Sequence, residues 1–180
     1  MSKTKLHIIN PVSDEEIISQ EVVKIQIGLV DISDIHFWKH NPRVYSKVKK
    51  KLDSPDNESK NERDIISETL NNTSDLNKLK TRIKNDGQIN EPVYICKDIS
   101  GNTNDYIVYE GNSRLAVAIE FTNNGIPFKG KRPWDRIKAK VLPDNTKPET
   151  IRKLIGDAHM LGKNPWAVFE KAGFIYRAVK

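Results

Sequence analysis

The spacing of apolar residues changes several times along the chain, and each change marks a predicted strand or helix. Between residues 22 and 30, apolar side chains recur at every second position, which is typical of a half-buried strand. Short runs rich in β-branched and aromatic residues predict further strands. The predicted strands cover 22–30, 93–96, 106–109 and 137–141, with a weaker candidate over 6–9 ahead of Pro11.

Other segments place apolar residues three and four positions apart, which predicts helices. The segment 115–121 is apolar on nearly every side, so its helix is expected to be buried. Between residues 47 and 62 apolar side chains are almost absent, and this stretch is interpreted as a mobile loop. The predicted helices cover 62–70, 75–87, 115–121 and 146–162, with a last one starting at Asn164.

The composition is that of a polar, basic protein of ordinary domain size. The 180 residues carry 30 Lys and Arg against 24 Asp and Glu, a net charge of +6, which attracts phosphate groups of nucleotides or nucleic acids. No apolar run approaches the ~20 residues of a membrane span, and the first ten residues do not resemble a signal peptide. With Cys96 as the one cysteine, we expect a cytoplasmic protein that has neither a disulfide nor a membrane partner.

The segment 106–121 carries the main candidate chemistry, because a strand there meets a helix at Gly111. Asn112 is the predicted N-cap of that helix. Arg114 lies in the first turn, where the helix dipole disfavours a cation. A helix N-terminus after a glycine turn suits an anion, so Ser113 and Arg114 are candidate phosphate ligands. The alternative, that Arg114 pairs with Glu110 or lies in solvent, stays open at this point.

Four segments, taken in order, resemble the ParB/sulfiredoxin superfamily, in particular the ParB N-terminal or ParB-like nuclease domain. They are Asn41-Pro42-Arg43, the run 86–95 with its Asp-Gly-Gln-Ile and Glu-Pro-Val, the turn 110–116, and the C-terminal helices with Asn164-Pro165. The resemblance covers about 22–176 of a single domain over 1–180, with an insertion at about 46–75. It implies an α/β (α+β) fold: a small mixed sheet flanked by helices, with a C-terminal helix pair.

The form of the turn indicates a subgroup within this family. The Gly-Asn-x-Arg-Leu-Ala form of the turn, with His159, Gly162 and Trp166 downstream, is similar to a ParB-like subgroup of bacterial and mobile-element proteins. Residues 174–180 look helical and carry no stop signal, so the chain is expected to be a fragment of a longer protein.

The resemblance also implies a nucleotide site. Gly111, Asn112, Ser113 and Arg114 would hold the phosphates of CTP or ATP, or of a diphosphate, and Gln88 would lie near the base or ribose. Asp157 and His159 would approach the phosphates from the third motif, and Glu110 would hold Mg²⁺ or orient a nucleophile. Glu110, Asp157 and His159 are therefore the candidate catalytic residues. From the residues alone, His159 is equally consistent with a histidine hydrogen-bonded at a helix–helix contact.

Two departures from the family pattern keep three functions open. Asn112 stands where the family has glutamate, and an asparagine cannot act as a general base. Ser113 stands where it has an arginine, which removes one phosphate ligand. Sulfiredoxin chemistry is not expected, because Cys96 lies outside the turn.

Three functional hypotheses follow from the sequence. The first is a nucleotide-binding domain with slow NTPase or phosphotransferase activity linked to DNA or a protein partner. The second is a metal-dependent nuclease using Glu110 and Asp157, and the third is a non-catalytic DNA- or protein-binding adaptor. A homodimer is a further expected form.

Overall fold

A six-stranded mixed sheet organises the computed structural model, which describes residues 6–18, 20–54, 61–72, 74–101, 103, 105–128, 133–161 and 168–178. Its strands are β1 (Ile9–Ile18), β2 (Glu21–Asp31), β3 (Ile35–Phe37), β4 (Val93–Lys97), β5 (Tyr106–Glu110) and β6 (Arg136–Val141). Their order in the sheet is β1-β2-β6-β4-β5-β3. Neighbours pair antiparallel except β4 with β6 and β3 with β5, which are parallel. The predicted α/β (α+β) class with a mixed sheet is therefore confirmed.

Six α-helices flank the sheet within the described ranges. They are α1 (Tyr45–Leu52), α2 (Glu62–Asn71), α3 (Ser74–Asp86), α4 (Asn112–Asn123), α5 (Pro148–Gly156) and α6 (Val168–Ala178). A 3₁₀ turn covers Ile32–Asp34, and a π-helical turn, Asp157–Leu161, continues α5. The expected helix pair at the C-terminal end corresponds to α5 and α6, while the residues between 161 and 168 lie outside the described ranges.

The helices bury apolar side chains on both faces of the sheet. On one face, α2 and α4 pack against the sheet through Ile65, Ile66 and the fully buried Leu115. On the other, α5 packs Ile151 and Ile155 into a second cluster. This double coverage is expected for strands that read as nearly continuous apolar runs, as β4 and β5 do.

The first strand is the main error of the sequence prediction. A short strand over 6–9 was expected to end before Pro11, whereas β1 runs from Ile9 through that proline to Ile18. The pairing with β2 shifts register between Ile9 and Val12, and Asn10 has a φ of 51°. β1 is an edge strand of the described sheet, where proline, bulges and charged side chains are tolerated.

The interpretation of 47–62 as a loop is also wrong over its first part. Residues 47–52 belong to α1, whose single buried side chain, Val48, anchors it while its lysines cover the outer surface. Positions 55–60 of the expected loop lie outside the described residues. Within the proposed insertion at 46–75, α2 contributes Ile65, Ile66 and Leu70 to the main core, so this segment is integral to the fold.

Candidate functional site

The turn between β5 and α4 requires a glycine. Gly111 has a φ of 97°, in the left-handed region that disfavours other residues. A Cβ at this position would lie 2.6 Å from Cγ1 of Val93 and 2.8 Å from Nη2 of Arg114, closer than real contacts. The predicted N-cap at Asn112 is wrong: Gly111 is the N-cap, Asn112 is the first helical residue, and no side chain caps the helix.

Asn112 is instead a buried brace. The residue is 4% exposed to solvent. The Oδ1 atom accepts a hydrogen bond from the main-chain N–H of Trp38 at 3.0 Å, and Nδ2 donates one to the main-chain carbonyl of Val108 at 2.9 Å. Because both ends of the amide are engaged, the side chain ties the segment after β3 to the turn, and only the main chain of Asn112 is available to a ligand.

Arg114 bridges two carboxylates across the same turn. Its Nη1 lies 2.7 Å from Oε2 of Glu91, and its Nη2 donates to Oε2 of Glu110. The arginine side chain is 13% exposed, and its buried Nε has no hydrogen-bond partner among the described residues. The pairing with Glu110 that stayed open from the sequence is therefore present, and Glu91 is a second partner that no pattern indicated.

Burial and neighbouring charges together shift the pKa of Glu110. The Glu110 side chain is 17% exposed, and its desolvation raises the pKa above the usual glutamate value. The charges of Arg114 and Arg43 oppose this shift, whereas the charge of Glu91 adds to it. Glu110 is thus a carboxyl whose ionisation depends on the cations beside it.

A groove of about 930 Å³ opens in front of this turn, and we call it the central groove. The turn contributes the residues from Glu110 to Arg114, and the loop before β4 contributes Glu91 and Pro92. One wall is α3, which contributes Asp75, Leu76, Lys78, Leu79 and Arg82. The opposite wall is formed by Leu154 of α5 and by Asp157, Ala158 and His159 of the π-helical turn. The remaining lining residues are Glu16, Ile17, Ile18, Asn41, Arg43, Tyr94 and Lys140.

The groove brings most of the predicted site residues together. Its lining includes Glu110, Gly111, Asn112, Ser113, Arg114, Asp157 and His159. Gln88 is the exception, because it lines a neighbouring cavity of about 210 Å³ and donates a hydrogen bond to Asn90 Oδ1 at 2.7 Å. That cavity shares Leu79, Arg82, Glu91 and Arg114 with the groove.

The π-helical turn gives one wall an unusual backbone. A wider i to i+5 helical turn is rare in proteins and is often found at functional sites. Here it carries the exposed Asp157 and the half-buried His159 toward the groove. The turn follows the regular helix α5, whose Ile151 and Ile155 hold this wall against the sheet.

The charged side chains of the groove fall into two groups. Arg114 and Lys140 are ion-paired, to Glu91 and Glu110 and to Glu16 respectively. Arg43, Lys78 and Arg82 form no ion pair with any residue in the described part of the chain. Asp75 and Asp157 also line the groove without an ion pair among the described residues, so these three cations exceed the unpaired carboxylates of the lining by one.

Three further lining residues, Glu16, Tyr94 and Lys140, form a hydrogen-bonded cluster that we call the polar trio. Lys140 Nζ lies 2.9 and 3.0 Å from the two Glu16 oxygens and 2.9 Å from Tyr94 Oη. Tyr94 Oη donates to Glu16 Oε1 at 2.5 Å. Burial raises the pKa of Tyr94, and the bonds to Tyr94 and Glu16 raise that of Lys140 against the effect of its own burial. Tyr94 therefore stays a neutral hydroxyl and Lys140 a cation.

Two features are absent from the described residues, a cluster of metal ligands and a helix that could cross a membrane. No group of three or more His, Cys, Asp or Glu side chains is arranged to hold a metal ion among them. None of the helices in the described ranges is long and apolar enough to cross a membrane.

Comparison with family models, with curated proteins and with solved structures finds no match to this chain.

Proposed function

We propose that the central groove binds a nucleoside di- or triphosphate, with its phosphates at the first turn of α4. The observation that carries the proposal is that Arg43, Lys78 and Arg82 line the groove without ion pairs among the described residues, together with the N-terminus of α4, which no side chain caps. Main-chain N–H groups at a helix start and nearby arginines are the donors that phosphate oxygens prefer.

The size and lining of the groove support a ligand of this class. Small-molecule sites in proteins commonly measure about 300–1,000 Å³, and the groove has about 930 Å³. Besides its charged residues it offers the apolar side chains of Ile17, Ile18 and Leu154. A nucleotide needs both surfaces, because its phosphates are anionic and its base is flat and largely apolar on its faces. The resemblance to the ParB-like domain favours CTP or ATP.

In this proposal Arg114 becomes a phosphate ligand by exchanging one partner. The Glu91 side chain is 56% exposed, so its carboxylate can return to water at a small cost. Glu110 is largely buried and stays on the guanidinium. A phosphate oxygen would then replace Glu91 on Nη1, beside the N–H groups of Asn112 and Ser113.

Magnesium is a fitting companion of the nucleotide. In nucleotide sites Mg²⁺ is held by one or two carboxylates, and phosphate oxygens and water supply the other ligands. Asp157 lines the groove without an ion pair among the described residues and would contribute such a carboxylate. Glu110 would be the second, through the oxygen that Arg114 does not use. When bound, the ion would supply charge neutralisation at the phosphates.

Hydrolysis, if present, would be slow. ParB-like domains have a glutamate at the position of Asn112, which could act as a general base. The Asn112 side chain cannot take this role, because an amide is not a base and both of its ends are already hydrogen-bonded. His159 and Asp157 are the groups on the opposite wall that would contact a phosphate or its attacking water. The proposed role is therefore a nucleotide-dependent switch of a DNA or protein interaction, with turnover as a secondary property.

Thermal unfolding against a panel of nucleotides tests the proposal. CTP, ATP, GTP, their diphosphates and inorganic tripolyphosphate are added with and without Mg²⁺. A ligand at 100 times its Kd should add about 2.7 kcal/mol to the free energy of unfolding. Arg82→Ala should lose most of the shift, whereas Lys84→Ala, on the same helix but outside the groove, should keep it. Absence of any shift would contradict the proposal.

One observation favours a second candidate, the non-catalytic adaptor. Arg114 is already neutralised by two carboxylates, as expected of a site that no longer needs an anion. An adaptor would bind DNA or protein equally well with and without nucleotide. DNA binding measured by fluorescence anisotropy, with the nucleotide panel as a variable, separates the two candidates.

A further inference from the structure

The outer edge of β1 is open in the described sheet. β1 pairs with β2 on one side, and no other described strand lies on its other side. The N–H of Glu15 donates to Oδ1 of the neighbouring Asp14 at 2.8 Å, as expected of an amide that faces away from β2. Because the direction of the main-chain groups alternates along an antiparallel strand, those of Ser13 and Ile17 face outward as well. Three residues therefore present main-chain donors and acceptors to an added strand.

The regular part of this edge has defined ends. The register between β1 and β2 shifts between Ile9 and Val12, and Gln20, just beyond β1, has a φ of 71°. Pairing is therefore regular over 12–18. Residues 14–18 pair with the part of β2 that precedes its pairing with β6, so this part of the ladder has only two strands. Two-stranded ladders are marginally stable, and a third strand would stabilise this one.

The charge of this edge is opposite to that of the whole chain. The chain carries a net charge of +6, yet β1 contains the acidic run Asp14, Glu15 and Glu16. Glu16 is paired with Lys140 in the polar trio. Asp14 and Glu15 are exposed and form no ion pair with any described residue, not even with Lys24, which lies across from Glu15 on β2. Their side chains point to opposite faces of the strand, so an added strand would meet a carboxylate on each face.

Exposed apolar side chains flank the acidic run. Val12 is 63% exposed and Ile17 is 75% exposed. Val22, which lies opposite Ile17 on β2, is 64% exposed and extends the same apolar surface. Charged side chains alone protect an edge strand from unwanted pairing, so protection does not account for these apolar residues. Neighbouring exposed apolar residues are instead typical of a surface that a partner covers.

We propose that the outer edge of β1 binds an extended basic peptide of a partner protein as an additional strand of the sheet. In this mode of recognition, main-chain hydrogen bonds supply affinity and alternate side chains supply specificity. Apolar residues of the peptide lie opposite Val12 and Ile17. Basic residues lie opposite Asp14 and Glu15. The expected motif is an apolar residue, any residue, two basic residues, any residue and a second apolar residue, in either chain direction.

A fluorescently labelled synthetic peptide with this motif, TVTRKTVT, tests the proposal on the full chain by fluorescence anisotropy. Two N-methylated versions keep every side chain, one with methyl groups at the even-numbered internal residues and one at the odd-numbered internal residues. Only one of these sets can face β1, because main-chain N–H groups alternate in direction along a strand. Methylation of the facing set should abolish binding, and methylation of the other set should leave it. The charge-reversed peptide TVTEETVT should not bind.

Substitutions in β1 test the charge complementarity. Asp14→Lys and Glu15→Lys each replace attraction across the new strand pair by repulsion and should weaken binding about fivefold or more. Asp53→Lys, at an exposed acid after α1, is the charge-matched control and should leave the affinity unchanged. Amide hydrogen exchange on the unsubstituted chain needs no variant. Addition of TVTRKTVT should slow exchange at Ser13 and Ile17, whose N–H groups become hydrogen-bonded.

Each outcome bears on the added strand itself. Loss of binding with one methylated peptide and not the other, together with slower exchange in β1, would support it. Equal effects of the two methylated peptides would overturn it, because contact would then be made through charge or apolar surface alone. Binding of TVTEETVT as tight as that of TVTRKTVT, or no binding of TVTRKTVT at millimolar concentration, would overturn it too. None of these results depends on the nucleotide site.

Discussion

Arg114 and Glu91 are 23 residues apart in the chain, yet their side chains meet at 2.7 Å over the start of α4. The contact places a carboxylate of the protein beside the helix N-terminus that would receive a ligand phosphate. The buried Glu110 holds the same guanidinium from the other side. An anionic ligand at this helix N-terminus would therefore compete with Glu91 for Arg114.

Glu91→Gln should raise nucleotide affinity. The substitution removes a charge that competes for Arg114, and partly exposed ion pairs contribute up to about 1 kcal/mol, or about fivefold in affinity. Titration calorimetry with the best nucleotide of the panel measures the change. Glu149→Gln, which breaks an exposed ion pair with Arg152 on α5, is the charge-matched control and should leave the affinity unchanged. Weaker binding by Glu91→Gln would instead indicate that Glu91 itself contacts the ligand.

Gly111→Ala should be more destabilising than the same substitution at another glycine with a positive φ. A left-handed residue other than glycine costs about 1–2 kcal/mol, and overpacking adds about 1–3 kcal/mol. At Gly111 the new methyl group would meet Val93 at 2.6 Å, whereas Gly125, with a φ of 59°, has no atom within 4 Å. Urea unfolding should therefore rank Gly111→Ala well below Gly125→Ala in stability. Equal losses would show that the turn relaxes around the methyl group.

Asn112→Ala should reduce stability by about 2–4 kcal/mol, because it leaves the Trp38 N–H and the Val108 carbonyl buried without partners. Asn123→Ala, at the exposed end of the same helix, should change stability by less than about 0.5 kcal/mol. Asn112→Asp should also destabilise the fold, since it keeps the acceptor, loses the donor and buries a charge. A mild effect of both substitutions, measured by urea unfolding, would contradict the role of Asn112 as a brace.

Glu110 should stabilise the fold more at acidic than at neutral pH. Its pKa is raised in the folded state, chiefly by burial, so the folded protein holds this proton more tightly than the unfolded chain does. The stability contributed by the group is therefore fully present below the unfolded value, near 4.5, and is lost as pH rises through the folded pKa. The difference in unfolding free energy between wild type and Glu110→Gln should fall over that window. A difference that grows with pH would mean that Arg114 outweighs burial.

The central strands and the buried helix were predictable because their sequences carry strong local signals. β4, β5 and β6 coincide with apolar runs, and α4 with a stretch that is apolar on nearly every side. β1 failed because an edge strand does not need alternating apolar residues, and Asp14, Glu15 and Glu16 hide its pattern. α1 failed because Val48 is its only buried side chain and its lysines resemble those of a loop.

The site was less predictable than the fold, because its contacts join distant parts of the chain. The turn at Gly111 has a local signature, and the structure gives that glycine the positive φ which its role requires. Glu16 and Lys140, in contrast, are 124 residues apart, and each follows the ordinary alternation of its own strand. Glu91 and Arg114 are also distant in the chain, one in the loop before β4 and the other in α4. Such pairs depend on strand order and on the direction of long side chains, which single-sequence patterns do not contain.

The acidic run of β1 also has a consequence for self-association. Two copies that extended the sheet by antiparallel pairing of their β1 edges around Glu15 would set Asp14 of each copy opposite Glu16 of the other. Like charges placed directly across a strand pair repel each other. Growth of a continuous sheet from molecule to molecule is therefore opposed at neutral pH, and any homodimer is expected to form through a different surface.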